Sequence, residues 1–131
     1  MTQHLPIPEE VERVASAVID AAFRVHRALG PGLLESVYEA CLCYELSKMG
    51  IPFKRQLNLP VVYEEVRLDT GLRFDILADE KVVVELKAVD EVTPVFKAQT
   101  LTYLRLTGKR LGLLINFNTV LLKDGIFRIV L

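Results

Sequence analysis

The sequence is poor in the residues that form disulfides and zinc sites. Its 131 residues include two cysteines, Cys41 and Cys43, and two histidines, His4 and His26. Two positions apart on a helix, the cysteine side chains would point to different sides, so a disulfide between them is not expected. Without a Cys-x-x-Cys pair, and with so few histidines, the sequence also gives no zinc-binding pattern. Both cysteines are interpreted as packing residues.

The sequence also lacks long apolar runs, a leader segment and a marked excess of positive or negative charge. No apolar run approaches the roughly 20 residues of a membrane-spanning helix, and residues 1–10 lack the basic and apolar regions of a signal peptide. A cytoplasmic location without membrane contact is therefore expected. The net charge is −1 at pH 7, whereas proteins that bind DNA non-specifically usually carry a basic surplus. Any nucleic-acid role must therefore depend on a local site.

What is present is the composition of an ordinary globular domain. Hydrophobic residues make up 51% of the chain and charged residues 25%, which is typical of a protein with a packed core. No internal repeat, low-complexity segment or linker interrupts the sequence. One domain spanning residues 1–131 is therefore expected.

The first half of the chain predicts two helices followed by a strand. Pro8 and the two glutamates after it resemble a helix start, and residues 30–32 (Gly-Pro-Gly) end that helix. A second helix is predicted over residues 33–49, since a glycine and a proline follow it closely. Alternating apolar residues over 53–68 predict a strand, in which Pro60 favours an edge position or a bulge.

The second half of the chain predicts a hairpin, a helix and the last strands. The predicted elements are strands over 72–78 and 82–89, a helix from Thr93-Pro94 to Gly108, and strands over 111–117 and 120–131, with Asp124-Gly125 as a tight hairpin turn. The resulting order is helix, helix, three strands, helix and two or three strands. This is the α/β fold class in the order ααβββαββ.

The hairpin carries the most informative pattern. If residues 79–81 form its loop, three apolar pairs share one face of the sheet: Ala78 with Val82, Ile76 with Val84, and Phe74 with Leu86. The same register places Asp75 directly opposite Glu85, with Lys87 on the same face two residues later. A slip by one residue would mix apolar and charged side chains on both faces, so burial itself favours this pairing.

Two carboxylates on facing strand positions lie close together. Their Cβ atoms are about 5 Å apart in an antiparallel pair, so the charges of Asp75 and Glu85 repel unless a cation lies between them. Lys87 supplies one positive charge. A divalent ion such as Mg²⁺, which binds one or two carboxylates and keeps several waters, would supply the rest. The alternative is a solvated face of strand charges without a metal.

Two helices contribute further candidate residues. Glu35 lies in the first turn of the second helix, with Tyr38 one turn later on the same side. Taken alone, Glu35 is also explained as a first-turn charge that interacts with the helix dipole. On the third helix, Gln99 and Tyr103 are four residues apart and share one face. They could hydrogen-bond phosphate oxygens or an attacking water, or Tyr103 could pack on the sheet with its hydroxyl in solvent.

Taken in order, these residues resemble a known family. They are similar to the ordered motifs of the PD-(D/E)XK nuclease superfamily: Glu35, Asp75, Glu85-Leu86-Lys87 and Gln99-x-x-x-Tyr103, the last of them as in its RecB-type exonuclease branch. More narrowly, Gly32-x-x-Glu35-x-x-Tyr38 and residues 112–117 (Gly-Leu-Leu-Ile-Asn-Phe) resemble the GxxExxY protein family. The resemblance runs from about Val11 to the C-terminus.

The resemblance implies a restriction-endonuclease-like core, which is a central mixed β-sheet flanked by helices. It implies that Asp75 and Glu85 bind Mg²⁺ or Mn²⁺, with the Leu86 carbonyl as a further ligand and Glu35 completing or supporting the site. In the same family, Lys87 would hold the attacking water and stabilise the charge that develops on the phosphate.

The implied activity is metal-dependent hydrolysis of phosphodiester bonds in DNA, or in RNA. Gln99 and Tyr103 would position the substrate backbone or Lys87, and Tyr38 is a further candidate for substrate binding. The alternative is a non-catalytic nucleic-acid-binding or protein-interaction module on the same fold, which the nearly neutral charge and the short chain favour. A small surface with little positive charge offers few phosphate contacts, so a homodimer or a larger partner protein is expected. The apolar strand over 126–131 is a candidate edge for such pairing.

Overall fold

Three helices and five strands make up the part of the chain that the computed structural model describes, residues 5–131 without the side chain of Thr70; His4 lies outside the described residues. The elements are α1 (Glu9–Leu29), α2 (Glu35–Lys48), β1 (Phe53–Tyr63), β2 (Val66–Ala78), β3 (Val82–Lys87), α3 (Pro94–Thr107), β4 (Leu111–Asn116), a 3₁₀ helix (Leu122–Gly125) and β5 (Ile126–Val130). The predicted order ααβββαββ is therefore confirmed.

The helices begin and end close to the predicted positions. α1 carries acidic residues in its first turn, where they interact favourably with the helix dipole. Pro94 lies in the first turn of α3, and the helix ends at Gly108, whose φ of 73° is a left-handed conformation that glycine adopts with little strain. Within residues 5–131, no helix combines the length and the apolar character needed to cross a membrane.

The strands form one mixed sheet in the order β1-β2-β3-β4-β5. β3 and β4 are parallel, and the other neighbouring pairs are antiparallel. Parallel neighbours need a crossover connection, which α3 provides. α1 and α2 pack on one face of the sheet and α3 packs on the other. The expected central mixed sheet flanked by helices is confirmed.

Two apolar clusters, one on each face of the sheet, hold these layers together. The larger cluster joins α1 and α2 to residues such as Val84 of β3. The smaller cluster joins Leu104 of α3 to Val83, the preceding residue of β3. α3 approaches the sheet closely because Gly112 of β4 has no side chain: a Cβ atom there would lie 2.9 Å from Thr100 Cγ2.

β1 and β2 form a long hairpin that corrects one predicted boundary. Residues 53–68, predicted as one strand, contain all of β1, a turn that begins at Glu64 and the start of β2. Glu64 has a φ of 52°, a conformation used in turns but uncommon for residues other than glycine, asparagine and aspartate. β1 lies at the edge of the sheet, and its pairing with β2 shifts between Leu59 and Val61. The edge position and the bulge predicted from Pro60 are both confirmed.

The connection between β4 and β5 differs from the predicted tight turn. Asp124 and Gly125 belong to the 3₁₀ helix, and the chain reaches it through a loop that follows β4. Gly125 packs directly against the end of β4, where an added Cβ atom would overlap the Asn116 carbonyl oxygen. The turn therefore forms by contact with β4 rather than as a two-residue hairpin. β5 lies at the other edge of the sheet, as predicted.

Candidate active site

β2 and β3 separate at the two predicted acidic residues. Their backbone pairing follows the predicted register as far as Ile76 and Val84. Beyond that point, hydrogen bonds from backbone N–H groups to side-chain carboxylates replace the backbone hydrogen bonds between the strands. The Leu86 N–H donates to Asp75 Oδ2 at 2.8 Å, and the Asp75 N–H donates to Glu85 Oε1 at 3.2 Å. Asp75 and Glu85 therefore lie side by side, and with Lys87 they form what we call the acidic site.

One predicted pair in this hairpin is wrong. Phe74 does not face Leu86, because it packs beside Leu77 in the cluster under α3, whereas Leu86 lies in the cluster on the opposite face. The side-chain alternation of β2 therefore breaks at Asp75. On the neighbouring strand, Gln56 has a φ of 50°, far from the values of a regular strand. This local irregularity of both strands accounts for the change of face.

The acidic site is largely withdrawn from water. Glu85 is 6% exposed, and its burial, together with the charge of Asp75, raises the pKa of Glu85 to about 8. Burial also raises the pKa of Asp75, although the Leu86 N–H acts in the opposite direction. Like-charged groups in one buried site cannot both ionise at ordinary pH without compensation. At neutral pH and without a cation, Glu85 therefore retains a proton.

Lys87 ends β3 within electrostatic range of both acids. Its Nζ lies 4.4 Å from the centre of the Phe96 ring on α3, and its charge opposes the effect of burial on the pKa of both acids. The backbone here is held from β4, because the Phe117 N–H donates to the Lys87 carbonyl at 2.9 Å. The buried Asn116 side chain also bonds both backbone groups of Val89. β4 therefore fixes the position from which the lysine extends.

Glu35 begins α2 at the border of the acidic site. The residue is exposed overall, yet partial burial of its carboxylate and the charge of Asp75 raise the pKa of Glu35, while Lys87 lowers it. Among residues 5–131, however, no three His, Cys, Asp or Glu side chains are grouped closely enough to hold a metal ion. The structure therefore does not bring Glu35 together with Asp75 and Glu85 as a three-carboxylate metal site.

The acidic site fits a hard divalent cation that keeps most of its water. Mg²⁺ binds through one or two carboxylates and retains several water molecules, and Mn²⁺ also favours oxygen ligands. Asp75 and Glu85 supply two adjacent carboxylates, and the Leu86 peptide adjoins them through its N–H. Burial and the charge of Asp75 raise the pKa of Glu85, so the pair favours added positive charge. A dication would supply that charge.

α3 brings Tyr103, and beside it Gln99, to the acidic site. The half-buried Tyr103 ring lies 5.9 Å from the Phe74 ring, centre to centre. Burial, then the charges of Glu85 and Asp75, raises the pKa of Tyr103, with the neighbouring Gln99 amide acting in the opposite direction. Gln99 is exposed one turn earlier. Tyr103 thus packs on the sheet, as one of the two predicted interpretations has it, while remaining within electrostatic range of both acids.

Tyr38 has a structural role, and its predicted contact with substrate is wrong. The residue is 0% exposed, and its ring stacks on Phe117 with a centre-to-centre distance of 4.5 Å. The hydroxyl donates to the Gly30 carbonyl at 2.6 Å and accepts from the Leu33 N–H at 3.1 Å. These bonds fix the loop between α1 and α2. A side chain enclosed in this way has no surface left for a substrate.

Three residues beside the acidic site escape prediction from the sequence. Glu39, which is 6% exposed, accepts hydrogen bonds from Arg55 Nη2 at 2.9 Å and from Gln56 Nε2 at 2.6 Å. The same Gln56 nitrogen lies 3.5 Å from Asp75 Oδ1. One weak signal exists, since Glu39 follows Glu35 by one helical turn on the same side of α2. Its partners lie on β1, which only tertiary packing brings beside α2.

The comparisons with known proteins point to one family. A family model described as the PD-(D/E)XK nuclease superfamily matches residues 12–129. No curated protein and no solved structure matches the chain. The mixed sheet flanked by helices on both faces is consistent with the restriction-endonuclease-like fold of that superfamily.

Proposed function

The chain belongs to the PD-(D/E)XK nuclease superfamily, and from that premise we propose that it is a metal-dependent nuclease that hydrolyses phosphodiester bonds in DNA, or alternatively in RNA. The observation that carries the proposal is the contact between the half-buried Asp75 and the buried Glu85, two carboxylates beside Lys87. Two repelling acids at one buried position lower stability, which favours a role that needs both of them.

The proposed ligands are the carboxylates of Asp75 and Glu85 and the carbonyl of Leu86, with Mg²⁺ or Mn²⁺ as the cation. A divalent ion in such a site polarises a phosphoryl oxygen and lowers the pKa of bound water. Glu85 would lose its proton when the ion binds, because only the ionised carboxylate is a good ligand. Glu35, at the border of the site, is proposed to support it electrostatically rather than to bind the ion.

The remaining residues would act on the substrate. Lys87 is proposed to orient the attacking water and to stabilise the negative charge that grows on the phosphate. Its ring contact with Phe96 holds the side chain near the two acids. Gln99, which is exposed, and the Tyr103 hydroxyl would contact the substrate backbone from α3. The Tyr103 pKa, raised by burial and the acids, keeps that hydroxyl a hydrogen-bond donor at neutral pH.

The test is a cleavage assay with Mn²⁺ or Mg²⁺ on plasmid DNA, single-stranded DNA and RNA. We expect Lys87→Met and Asp75→Asn to lose roughly 10²-fold or more of the activity, the usual effect of removing a group that stabilises transition-state charge. Lys97→Met is the matched control, since Lys97 Nζ lies over an aromatic ring in the same manner, 4.2 Å from the centre of Phe127. Equal residual activity in all variants would identify a contaminant, and no cleavage by the wild type would favour the non-catalytic module.

We also propose that Gly32-x-x-Glu35-x-x-Tyr38 acts as one unit, as its resemblance to the GxxExxY family implies. Gly32 has a φ of 99°, which a residue with a Cβ rarely adopts, and the Tyr38 hydroxyl binds the next residue, Leu33. Both residues thus shape the turn that places Glu35 at the start of α2. If they form a unit, the double variant Gly32→Ala/Tyr38→Phe loses less free energy of unfolding than the sum of the losses in the two single variants. Additive effects would contradict it.

A second copy of the chain is proposed to supply the phosphate contacts that one copy lacks. The net charge is −1, so one small surface offers few positive groups to a nucleic acid. β5 lies at an edge of the sheet, where an unpaired strand edge can join another chain. Light scattering should therefore give the mass of a dimer. The mass of one chain would contradict this proposal, and a larger partner protein would then be sought.

A further inference from the structure

A polar cluster adjoins Asp75. Its centre is Glu39 of α2, which accepts hydrogen bonds from Arg55 Nε at 3.2 Å, from Arg55 Nη2 at 2.9 Å and from Gln56 Nε2 at 2.6 Å. The Gln56 nitrogen also lies 3.5 Å from Asp75 Oδ1, at the outer limit of a hydrogen bond. The Gln56 side chain therefore stands between two carboxylates, one in the cluster and one in the acidic site.

The backbone of Gln56 is unusual for its place in the fold. Among residues 5–131, the non-glycine residues with positive φ are Gln56, Glu64, Asp79 and Glu80. The last three lie in hairpin turns, whereas Gln56 lies within β1. Backbone pairing of β1 with β2 is present on either side of Gln56 and absent at Gln56 itself, opposite Asp75. Backbone strain of this kind persists where the surroundings impose it, and it is concentrated at functional sites.

We propose that Gln56 is a positioning residue that, anchored by Glu39 and Arg55, orients the Asp75 carboxylate for the divalent cation. The inference rests on the proposed function and deepens it. Asp75 Oδ2 is already held by the Leu86 N–H at 2.8 Å, so the Gln56 amide restrains the other oxygen. Groups that hold a ligand from behind in this way typically contribute 10- to 100-fold to metal affinity.

The chemical types in the cluster suit this role. An amide restrains a carboxylate without neutralising it, whereas an ammonium or guanidinium group at the same place would compete with the cation for Asp75. Burial, and with it the charge of Glu39, raises the pKa of Asp75, so a proton competes more strongly with a cation for this carboxylate. The Arg55 guanidinium forms an ion pair with Glu39, with 2.9 Å between Arg55 Nη2 and Glu39 Oε2, and offsets that charge. The cluster thus restrains Asp75 without placing a positive charge against it.

The experiment compares two substitutions to glycine at positions of similar φ. Gln56→Gly relieves the backbone strain and removes the amide. Glu64→Gly, at a φ of 52° in an exposed turn, relieves backbone strain alone. Each protein is titrated with Mn²⁺ while its melting temperature is followed, with Asp75→Asn as the reference that lacks the site. We expect the Mn²⁺ concentration that produces a given rise in melting temperature to increase roughly tenfold in Gln56→Gly and to stay unchanged in Glu64→Gly.

Should Gln56→Gly fail to fold, Gln56→Asn keeps the amide and the tolerance for positive φ but is too short to bridge Glu39 and Asp75, and the same loss of Mn²⁺ affinity is expected. Wild-type affinity in the folded Gln56 variant would overturn the inference even if the wild type cleaves nucleic acid. Loss of Mn²⁺ affinity in that variant, with no cleavage by the wild type, would support the inference and refute the nuclease. Absence of any Mn²⁺ shift in the wild type would overturn both.

Discussion

Replacing Glu85 by glutamine should make the protein more stable at neutral pH. The pKa of Glu85 is about 8 in the folded protein, raised by burial and then by Asp75, against an ordinary value of 4.5. Between these pH values the unfolded chain has released a proton that the folded protein still holds. The free energy of unfolding therefore falls as pH rises from about 4.5 to about 8, and Glu85 causes no change outside that window.

The size of the effect follows from the width of that window. Each pH unit inside it costs about 1.4 kcal/mol of stability, which amounts to about 3 kcal/mol at pH 7. The raised pKa of Asp75 acts in the same direction. Glu85→Gln removes the titrating group, yet its side-chain oxygen can still accept from the Asp75 N–H. We expect it to match the wild type near pH 4.5 and to be more stable by about 3 kcal/mol at pH 7.

Urea denaturation at several pH values measures this difference, with Glu10→Gln on the exposed surface of α1 as the control for the loss of one charge. Mn²⁺ should restore stability to the wild type at pH 7, by about 2.7 kcal/mol at a hundred times its dissociation constant, and should do much less for Glu85→Gln. A wild-type stability that is flat between pH 4.5 and 8, or a variant less stable than the wild type at pH 8, would refute the reasoning.

Two further substitutions test the packing that positions the site. Tyr38→Phe leaves the Gly30 carbonyl and the Leu33 N–H without their partner, so the free energy of unfolding in urea should fall by about 1–3 kcal/mol; an unchanged value would mean that water replaces the hydroxyl. Gly112→Ala places a methyl group 2.9 Å from Thr100 Cγ2 and should cost about 1–3 kcal/mol. Adding Thr100→Ser removes the opposing methyl group and should recover most of the loss; no recovery would show that the close contact is not the cause.

The helices and the hairpin register were accessible from local sequence. Thr93-Pro94 and Gly108 bound α3 because a proline in the first turn and a left-handed glycine at the end are backbone requirements, whatever the rest of the fold. The pairing of Ile76 with Val84 follows from burial, since a slip would expose apolar side chains and bury charged ones. Both features depend on neighbours in the sequence or on a single strand pair.

The turn between β1 and β2 was not accessible in the same way. Apolar residues continue through Val62 and Val66 on either side of it, and the turn beginning at Glu64 contains none of the glycine or asparagine residues that mark most two-residue hairpins. The sequence thus resembles one long strand. The cluster around Glu39 was not predicted for another reason. Arg55 is separated from Glu39 by the end of α2 and a connecting segment, and no periodicity in the sequence links the two residues.

The charge state of the acidic site is also a property of the tertiary structure. The register places Asp75 and Glu85 side by side, but it leaves open whether water surrounds them. Their burial depends on tertiary packing, in which α3 brings Tyr103 near both acids and Gln56 of β1 lies beside Asp75. The break at Asp75 then moves Phe74 under α3 and frees the Leu86 N–H for the carboxylate. Without these contacts the pair would be the solvated strand charges of the alternative interpretation.

The proton on Glu85 and the proposed cation are consequences of one arrangement. Two adjacent carboxylates withdrawn from water need positive charge, and Lys87 lowers the pKa of Glu85 without bringing it below neutrality. Either a proton or a dication must make up the difference, and they compete for the same oxygens. A single substitution, Glu85→Gln, therefore has to raise stability in the absence of metal and reduce the response to Mn²⁺. If Glu85→Gln produced only one of these two effects, the cation would not bind at this pair.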